Sequence, residues 1–262
     1  MNNNIQFNDA VAQRFEAIYL TRDAARRREV VLAAARLKPG ERVLDIGTGP
    51  GFLAREAAGH LGSTGEVLGI DISELTLALA RRRCADVSNV RFEIGDATDL
   101  PVADATFDAV ICVQVYEFVP DVDQAISEVT RVLRPGGRAV IVSADWDSIV
   151  WHASEPELRD RVLKTFKLRL AHTALVRSLA AKLRRAGFVI EHAEVIPQFN
   201  ISYGPAYYSY HLLETIKTST AGQDGLTQDD VLAYARDQES LGERGEFFFC
   251  FNQFLFLARK GA

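Results

Sequence analysis

Apolar positions along the first 145 residues follow two alternating rhythms. Short apolar runs at 42–46, 66–70, 90–94, 107–113 and 138–143 read as strands. Between them, 52–60, 73–84 and 121–133 carry apolar residues at helical spacing. A helix is also expected over 23–37, with Thr21 able to cap it and Pro39-Gly40 ending it. Apolar strands interleaved with amphipathic helices predict parallel βαβ units, a sheet covered on both faces and an α/β fold. In such a sheet ligands bind beyond the carboxyl ends of the strands. Asp45, Asp71 and Asp96 each fall at such an end. The second half is less regular. Helices are expected over 157–170 and 173–186, a strand from 187 to about 196, and a closing strand over 247–259. Residues 200–245 carry helical patterns broken by Gly-rich turns. No repeat or low-complexity linker divides the chain, so residues 1–262 read as one domain.

The first strand ends in Asp45 and runs into Gly47-Thr48-Gly49-Pro50-Gly51. Glycines let the backbone turn tightly and approach a ligand closely, and the next helix offers free N–H groups at its start. Asp45 would repel a pyrophosphate and attract a cationic ammonium group. The dinucleotide fingerprint asks for Gly or Ala at its sixth position, where this chain has Phe52, so an NAD-type oxidoreductase is disfavoured. Asp71 lies 20 positions after Gly51, where a carboxylate can accept both ribose hydroxyls. That role is shared by several nucleotide sites.

Asp45-Ile46-Gly47-Thr48-Gly49-Pro50-Gly51 resembles motif I of the class I S-adenosylmethionine (SAM) methyltransferases. Gly69-Ile70-Asp71-Ile72 resembles the acidic strand end that follows it, Gly95-Asp96-Ala97 the adenine-side motif, and Leu133-Arg134-Pro135-Gly136-Gly137 the turn before strand five. One glycine loop would be weak evidence; four motifs in order are not a chance match. The chain looks most like the small-molecule branch related to ubiquinone and menaquinone C-methyltransferases, and the likeness fades after Val142.

The resemblance implies a Rossmann-like seven-stranded sheet, mostly parallel with an antiparallel last strand. It makes 1–40 N-terminal helices, 41–145 the cofactor-binding core and 200–245 a helical cap insertion. Asp45 would then hold the SAM ammonium, directly or through water, with Gly47, Thr48, Gly49 and Gly51 against the methionine part. Asp71 would accept the ribose hydroxyls and Ile72 pack on the adenine face. Asp96 would accept from the adenine amine and Ala97 N–H donate to a ring nitrogen, although Asp96 is also a natural turn former. Gln114 falls at the methionine end, and Tyr19 would close over SAM with Arg27 or Arg28 near its carboxylate.

Composition narrows the partners. Hydrophobic residues make up 48% and charged residues 25%, ordinary for a globular protein. A net charge of −5 offers no field for a nucleic-acid backbone, so no nucleic-acid partner is expected. Gln114-Val115-Tyr116-Glu117-Phe118 also lacks the Asn-Pro-Pro-Tyr type signature of amide and nucleobase N-methyltransferases. Three scattered cysteines (Cys84, Cys112, Cys250) have no metal-like spacing, and they fit a reducing, cytoplasmic setting. No metal, signal peptide or membrane span is expected, and the chain is expected to act as a monomer or homodimer.

The acceptor side is less determined. Phe15, Tyr19 and Tyr116 are candidate aromatic walls, which attract a cationic methyl donor. Tyr116, Trp146, Tyr203, Tyr207 and Tyr210 are candidate contacts for a flat or apolar acceptor, and equally candidates for packing between cap and sheet. A general base is needed only where the acceptor is not already nucleophilic. His152 and His211 are the candidate bases, whereas His60 and His192 read as structural. Methyl transfer to a small molecule is the leading expectation. The alternatives are a SAM-binding enzyme of non-methylating chemistry (a cyclase or decarboxylase) and a non-catalytic SAM-binding regulator. Nothing chooses among O, N and C acceptors.

Overall fold

The computed structural model describes residues 16–261. Helix α1 (Arg22–Ala35) starts at Thr21, whose hydroxyl accepts from the Ala24 N–H at 3.2 Å. It ends at Arg36, whose φ of 48° is left-handed. The core then alternates: β1 (Arg42–Ile46), α2 (Phe52–Leu61), β2 (Glu66–Asp71), α3 (Glu74–Arg83), β3 (Val90–Ile94), β4 (Phe107–Val113), α4 (Val122–Val132) and β5 (Leu133–Ala144). Ser73 caps α3 through the Thr76 N–H, and Asp121 caps α4 through the Gln124 N–H. The second half adds β6 (Val150–Trp151), α5 (Pro156–Lys167), α6 (Val176–Arg185), β7 (Phe188–Asn200), α7 (Tyr208–Ser219), α8 (Gln228–Glu243) and β8 (Phe249–Lys260).

The strands lie in the order β3-β2-β1-β4-β5-β8, with β7 on the far edge of β8. β1 to β5 run parallel to one another, and β8 is antiparallel to both β5 and β7. The sheet is therefore Rossmann-like, with one strand more than the seven expected. The extra strand is the two-residue β6, which pairs with Phe249 and Cys250 where β5 has already ended. β7 also runs beyond its expected end near 196, because β8 partners it as far as Asn200 opposite Phe249.

Alternation along each strand divides the core. On β5, Ala139 and Ile141 face the layer of α4 and α6, while Val140 and Val142 face the layer of α1 and α2. β8 repeats this with Phe256 and Ala258 on one side, Leu255 and Leu257 on the other. Beyond the end of β5 a separate apolar cluster holds the cap. Trp151 packs edge-on against Phe249 at 4.7 Å and Tyr234 at 5.8 Å. Asp23, in the first turn of α1, ties this cap to the N-terminal helix. It accepts from Asn200 Nδ2 at 3.1 Å and from the Tyr208 N–H at 2.8 Å. The carboxyl ends of β1, β2, β4 and β5 thus open into a mouth walled by α1 and α7.

Candidate functional site

The turn after β1 is pinned before any ligand is considered. The N–H groups of Gly47 and Thr48 both donate to the Ile70 carbonyl, at 2.7 and 3.0 Å. Gly47 and Gly49 have φ of 65° and 54°, a region that penalises a β-carbon. A Cβ on Gly47 would lie 2.2 Å from Val115 Cγ2, and one on Gly49 would lie 3.0 Å from the Tyr19 hydroxyl. The turn is thus bare backbone beneath the loop after β4 and the ring of Tyr19.

Asp45 is buried at the end of β1 and accepts from Thr48 Oγ1 at 2.7 Å. Burial pushes its carboxyl up to about 7; the Thr48 hydroxyl opposes the shift and nearby Asp71 adds to it. Asp71 accepts from the N–H groups of Gly49 at 2.9 Å and Ser73 at 3.0 Å, and burial raises its carboxyl as well. Beside it Ile72 is 71% exposed, an apolar face open at the edge of the mouth. Asp96 accepts from both the N–H and the hydroxyl of Thr98, which makes it the Asx-turn residue its type allows.

The decisive side chain on the N-terminal side is Arg27. It is 5% exposed, and its Nη1 donates only to the amide oxygens of Gln114 and Gln253, at 3.4 Å each. Its Nε has no partner, and none of the ion pairs among the described residues includes it. Burial without a counter-ion lowers its affinity for its proton, the expected response of an uncompensated charge. Arg28 differs: it pairs with Glu56 at 2.7 Å, donates to the Tyr19 carbonyl at 2.7 Å and covers the Phe52 ring. Of the two arginines, Arg27 is the one whose charge is unpaired among the described residues. Gln114 holds a positive φ of 57°, and its side chain bridges Arg27, Gln253 and Glu117. Non-glycine residues held in that region cluster at functional sites.

Two cavities flank this network. One of about 370 Å³ is lined by Tyr19, Arg27, Arg28, Asp45, Gly47 and Thr48, with apolar neighbours. The other, a cleft of about 700 Å³, is lined by Trp146, Phe118, Phe166, Tyr208, Leu212, Arg169, Gln114 and Glu117 among others. They meet at Tyr19, Arg27 and Val113, which belong to both. Glu117 is fully buried; its Oε1 accepts from the Ala144 N–H at 2.6 Å and from Gln114, while its Oε2 has no hydrogen-bond partner. Burial raises its carboxyl above the usual range.

Several expected acceptor residues lie elsewhere. Tyr116 points into the core beneath the sheet with Cys112 and Val122, because the loop after β4 turns its neighbours Gln114, Glu117 and Phe118 outward instead. Tyr203 and Tyr210 pack on each other at 5.3 Å, and Tyr203 also packs on Phe247. Helix phase explains the rest. Tyr208, Leu212 and Thr215 share one face of α7 and line the cleft, whereas Tyr207 precedes that helix and Tyr210 lies on another face. His152 is exposed, with its carbonyl bonded to Gln238, and His211 Nε2 is held by the Pro205 carbonyl at 2.8 Å; neither lines the cleft. Trp146 does line it, on a mat of Phe166 and Phe251. Phe15 lies outside the described residues. Gln253, Glu117, Arg169 and Tyr208 carry no motif signal, and only the i, i+4, i+7 spacing of 208, 212 and 215 pointed to that face. No cluster of three or more His, Cys, Asp or Glu suited to a metal occurs among the described residues.

A glycine turn between a buried acid and a half-buried one at the ends of parallel strands is the geometry of the SAM-dependent methyltransferases. The family model described as a methyltransferase domain matches residues 37–192, more than half of the 262. The chain belongs to the class I SAM-dependent methyltransferase family. It is 35% identical over 168 residues to an arsenite methyltransferase of Halobacterium salinarum, covering 63% of this chain and 41% of that one. It is 34% identical over 143 residues to a demethylmenaquinone methyltransferase of Symbiobacterium thermophilum, covering 52% and 57%. The chain thus spans about half the length of these curated relatives. Among solved structures, the [4+2]-cyclase SpnF superposes with a TM-score of 0.61 at 24% identity, over 91% of this chain and 81% of that one. That likeness is one of fold, and the same fold hosts different chemistries.

Proposed function

We propose that this methyltransferase-family protein transfers a methyl group from SAM to a small molecule that sits in the cleft under α7. One observation carries the reading: the cavity beside the glycine turn and the aromatic-lined cleft share Tyr19, Arg27 and Val113. A cofactor lying on the turn would therefore meet an acceptor lying in the cleft at that junction. The buried, unpaired Nε of Arg27 and the bare backbone at Gly47 and Gly49 fit the carboxylate and methionine part of SAM. Arg27 would hold the carboxylate and Asp45 the ammonium, while Gln114 orients Arg27. Asp71 would accept the ribose hydroxyls, Ile72 would cover one adenine face, and Asp96 with Ala97 would meet the adenine edge. When bound, SAM supplies a methyl on a sulfonium centre. The chain's own part is alignment and exclusion of water, which in favourable cases are worth up to about 7–11 kcal/mol.

For an acceptor that must lose a proton, Glu117 takes it. It is the carboxyl that lines the cleft, its Oε2 is uncommitted, and burial raises its affinity for a proton. His152 and His211 have no part in this reading. An acceptor that is already nucleophilic needs no base, and Glu117 then only positions Gln114. Titration calorimetry tests the cofactor assignment. SAM and S-adenosylhomocysteine are expected to bind and NAD is not; NAD binding without SAM binding would overturn it.

A further inference from the structure

The cleft contains a second arginine that neither the family motifs nor the cofactor reading uses. Arg169 lines it from the end of α5, with its guanidinium 4.8 Å from the centre of the Phe166 ring and 5.8 Å from that of Phe118. Among the described residues it makes no hydrogen bond and no ion pair. The acids near this part of the chain are committed elsewhere: Asp147 to Lys167 and Thr173, Asp145 to Arg177. Glu117, the carboxyl of the cleft, is bound to the Ala144 N–H and Gln114. Burial lowers the affinity of Arg169 for its proton, as it does for Arg27. A partly desolvated guanidinium with its donors unused and its faces on two rings is a receptor for a planar anion. Arg27, Gln114, Glu117 and Thr215 are the other polar groups of the cleft; Trp146, Phe166, Leu170, Tyr208 and Leu212 give it an apolar and aromatic wall.

Resting on the reading of this cleft as the acceptor site, we propose that the acceptor has a flat apolar body and an anionic oxygen group, the anion paired with Arg169. The body lies against Trp146 and Leu212, and a carboxylate meets the guanidinium where Phe166 and Phe118 hold it. The pairing makes charge, not only shape, the selector of the acceptor. Neutral molecules of the same outline leave a shielded cation uncompensated and bind more weakly.

The test uses two probes of equal shape, 2-naphthoate and its neutral analogue 2-naphthamide, titrated calorimetrically into the full chain with S-adenosylhomocysteine present. Naphthoate is expected to bind at least tenfold more tightly. Arg169→Gln should remove most of that preference and leave naphthamide within about twofold, while Arg169→Lys should restore part of it. Thermal melting and S-adenosylhomocysteine affinity on the same variants separate an effect on the cleft from an effect on folding. Equal affinities in the parent protein, no binding of either probe, or a preference that survives Arg169→Gln would overturn the proposal. In the last case the anion pairs with Arg27. Failure of the parent protein to bind S-adenosylhomocysteine would instead contradict the cofactor reading, and the naphthoate comparison, repeated without it, would still decide the role of Arg169.

Discussion

Arg27 and Asp45 are each left in a state that a zwitterion would relieve: a buried guanidinium with one nitrogen unpaired, and a buried carboxyl that ionises only near neutrality. Arg27→Met keeps the volume and removes the charge. It should weaken S-adenosylhomocysteine binding by about 1.5–3 kcal/mol, a factor of roughly ten to a hundred, with little loss of fold. Calorimetry on the variant checks this, and an unchanged affinity would remove Arg27 from the site. The Asp45 carboxyl gives a pH signature. Its folded pKa of about 7 lies above the ordinary 3.8, so between those values the folded protein holds a proton that the unfolded chain has lost. Stability of the ligand-free protein should therefore fall as pH rises from about 4 to 7 and then level off, and Asp45→Asn should flatten that slope. Binding runs the other way on its acid side. An ammonium needs the ionised carboxylate, so affinity should rise through pH 7 and fall again above about 8 as an α-amino group loses its proton. Asp45→Asn should abolish the acid limb.

Helix α7 shows where pattern reading at the scale of an element succeeds and fails. Its cleft face is Tyr208, Leu212 and Thr215, about half a turn away from Tyr210. Tyr208→Ala should therefore impair acceptor turnover, raising KM for the acceptor more than Kd for SAM, and Tyr210→Ala should leave both near the parent values. Steady-state kinetics with any acceptor found by labelling would show it. The parallel core was legible because its βαβ units carry local evidence: apolar runs throughout, acids ending β1 and β2, a glycine turn after β1, and side-chain caps on α3 and α4. Asp45, Gly47 and Thr48 line the first cavity, and Asp71 accepts from the Gly49 N–H of the same turn. The cleft was not legible. Glu117 and Arg169 come from loops whose direction is set by long-range packing, and Gln253 acts only because β8 inserts between β5 and β7. Tyr116 was misplaced for the same reason: one residue of phase after β4 exchanges a core side chain for a cleft side chain.

Across the whole molecule, Asp23 joins the two walls of the mouth through Asn200 and the Tyr208 N–H. Asp23→Ala leaves both donors without their acceptor at the start of α7, at a cost of about 1–3 kcal/mol. In a chain of this size that is a fall in Tm of about 2–4 °C per kcal/mol. Hydrogen exchange should also quicken at 200–210 while β1 and β4 stay protected, and unchanged exchange there would show that the cap is held by its aromatic cluster alone. The central claim is that this scaffold aligns SAM with a small molecule for methyl transfer. It is tested most directly by incubating the full chain with SAM bearing a trideuterated methyl group and a metabolite extract, then reading products by mass spectrometry. The account predicts a metabolite that gains the trideuteromethyl group together with an equal amount of S-adenosylhomocysteine, both sharply reduced with Arg27→Met at limiting SAM. Tight SAM binding with a metabolite converted but no label transferred would contradict it and assign the scaffold to non-methylating chemistry.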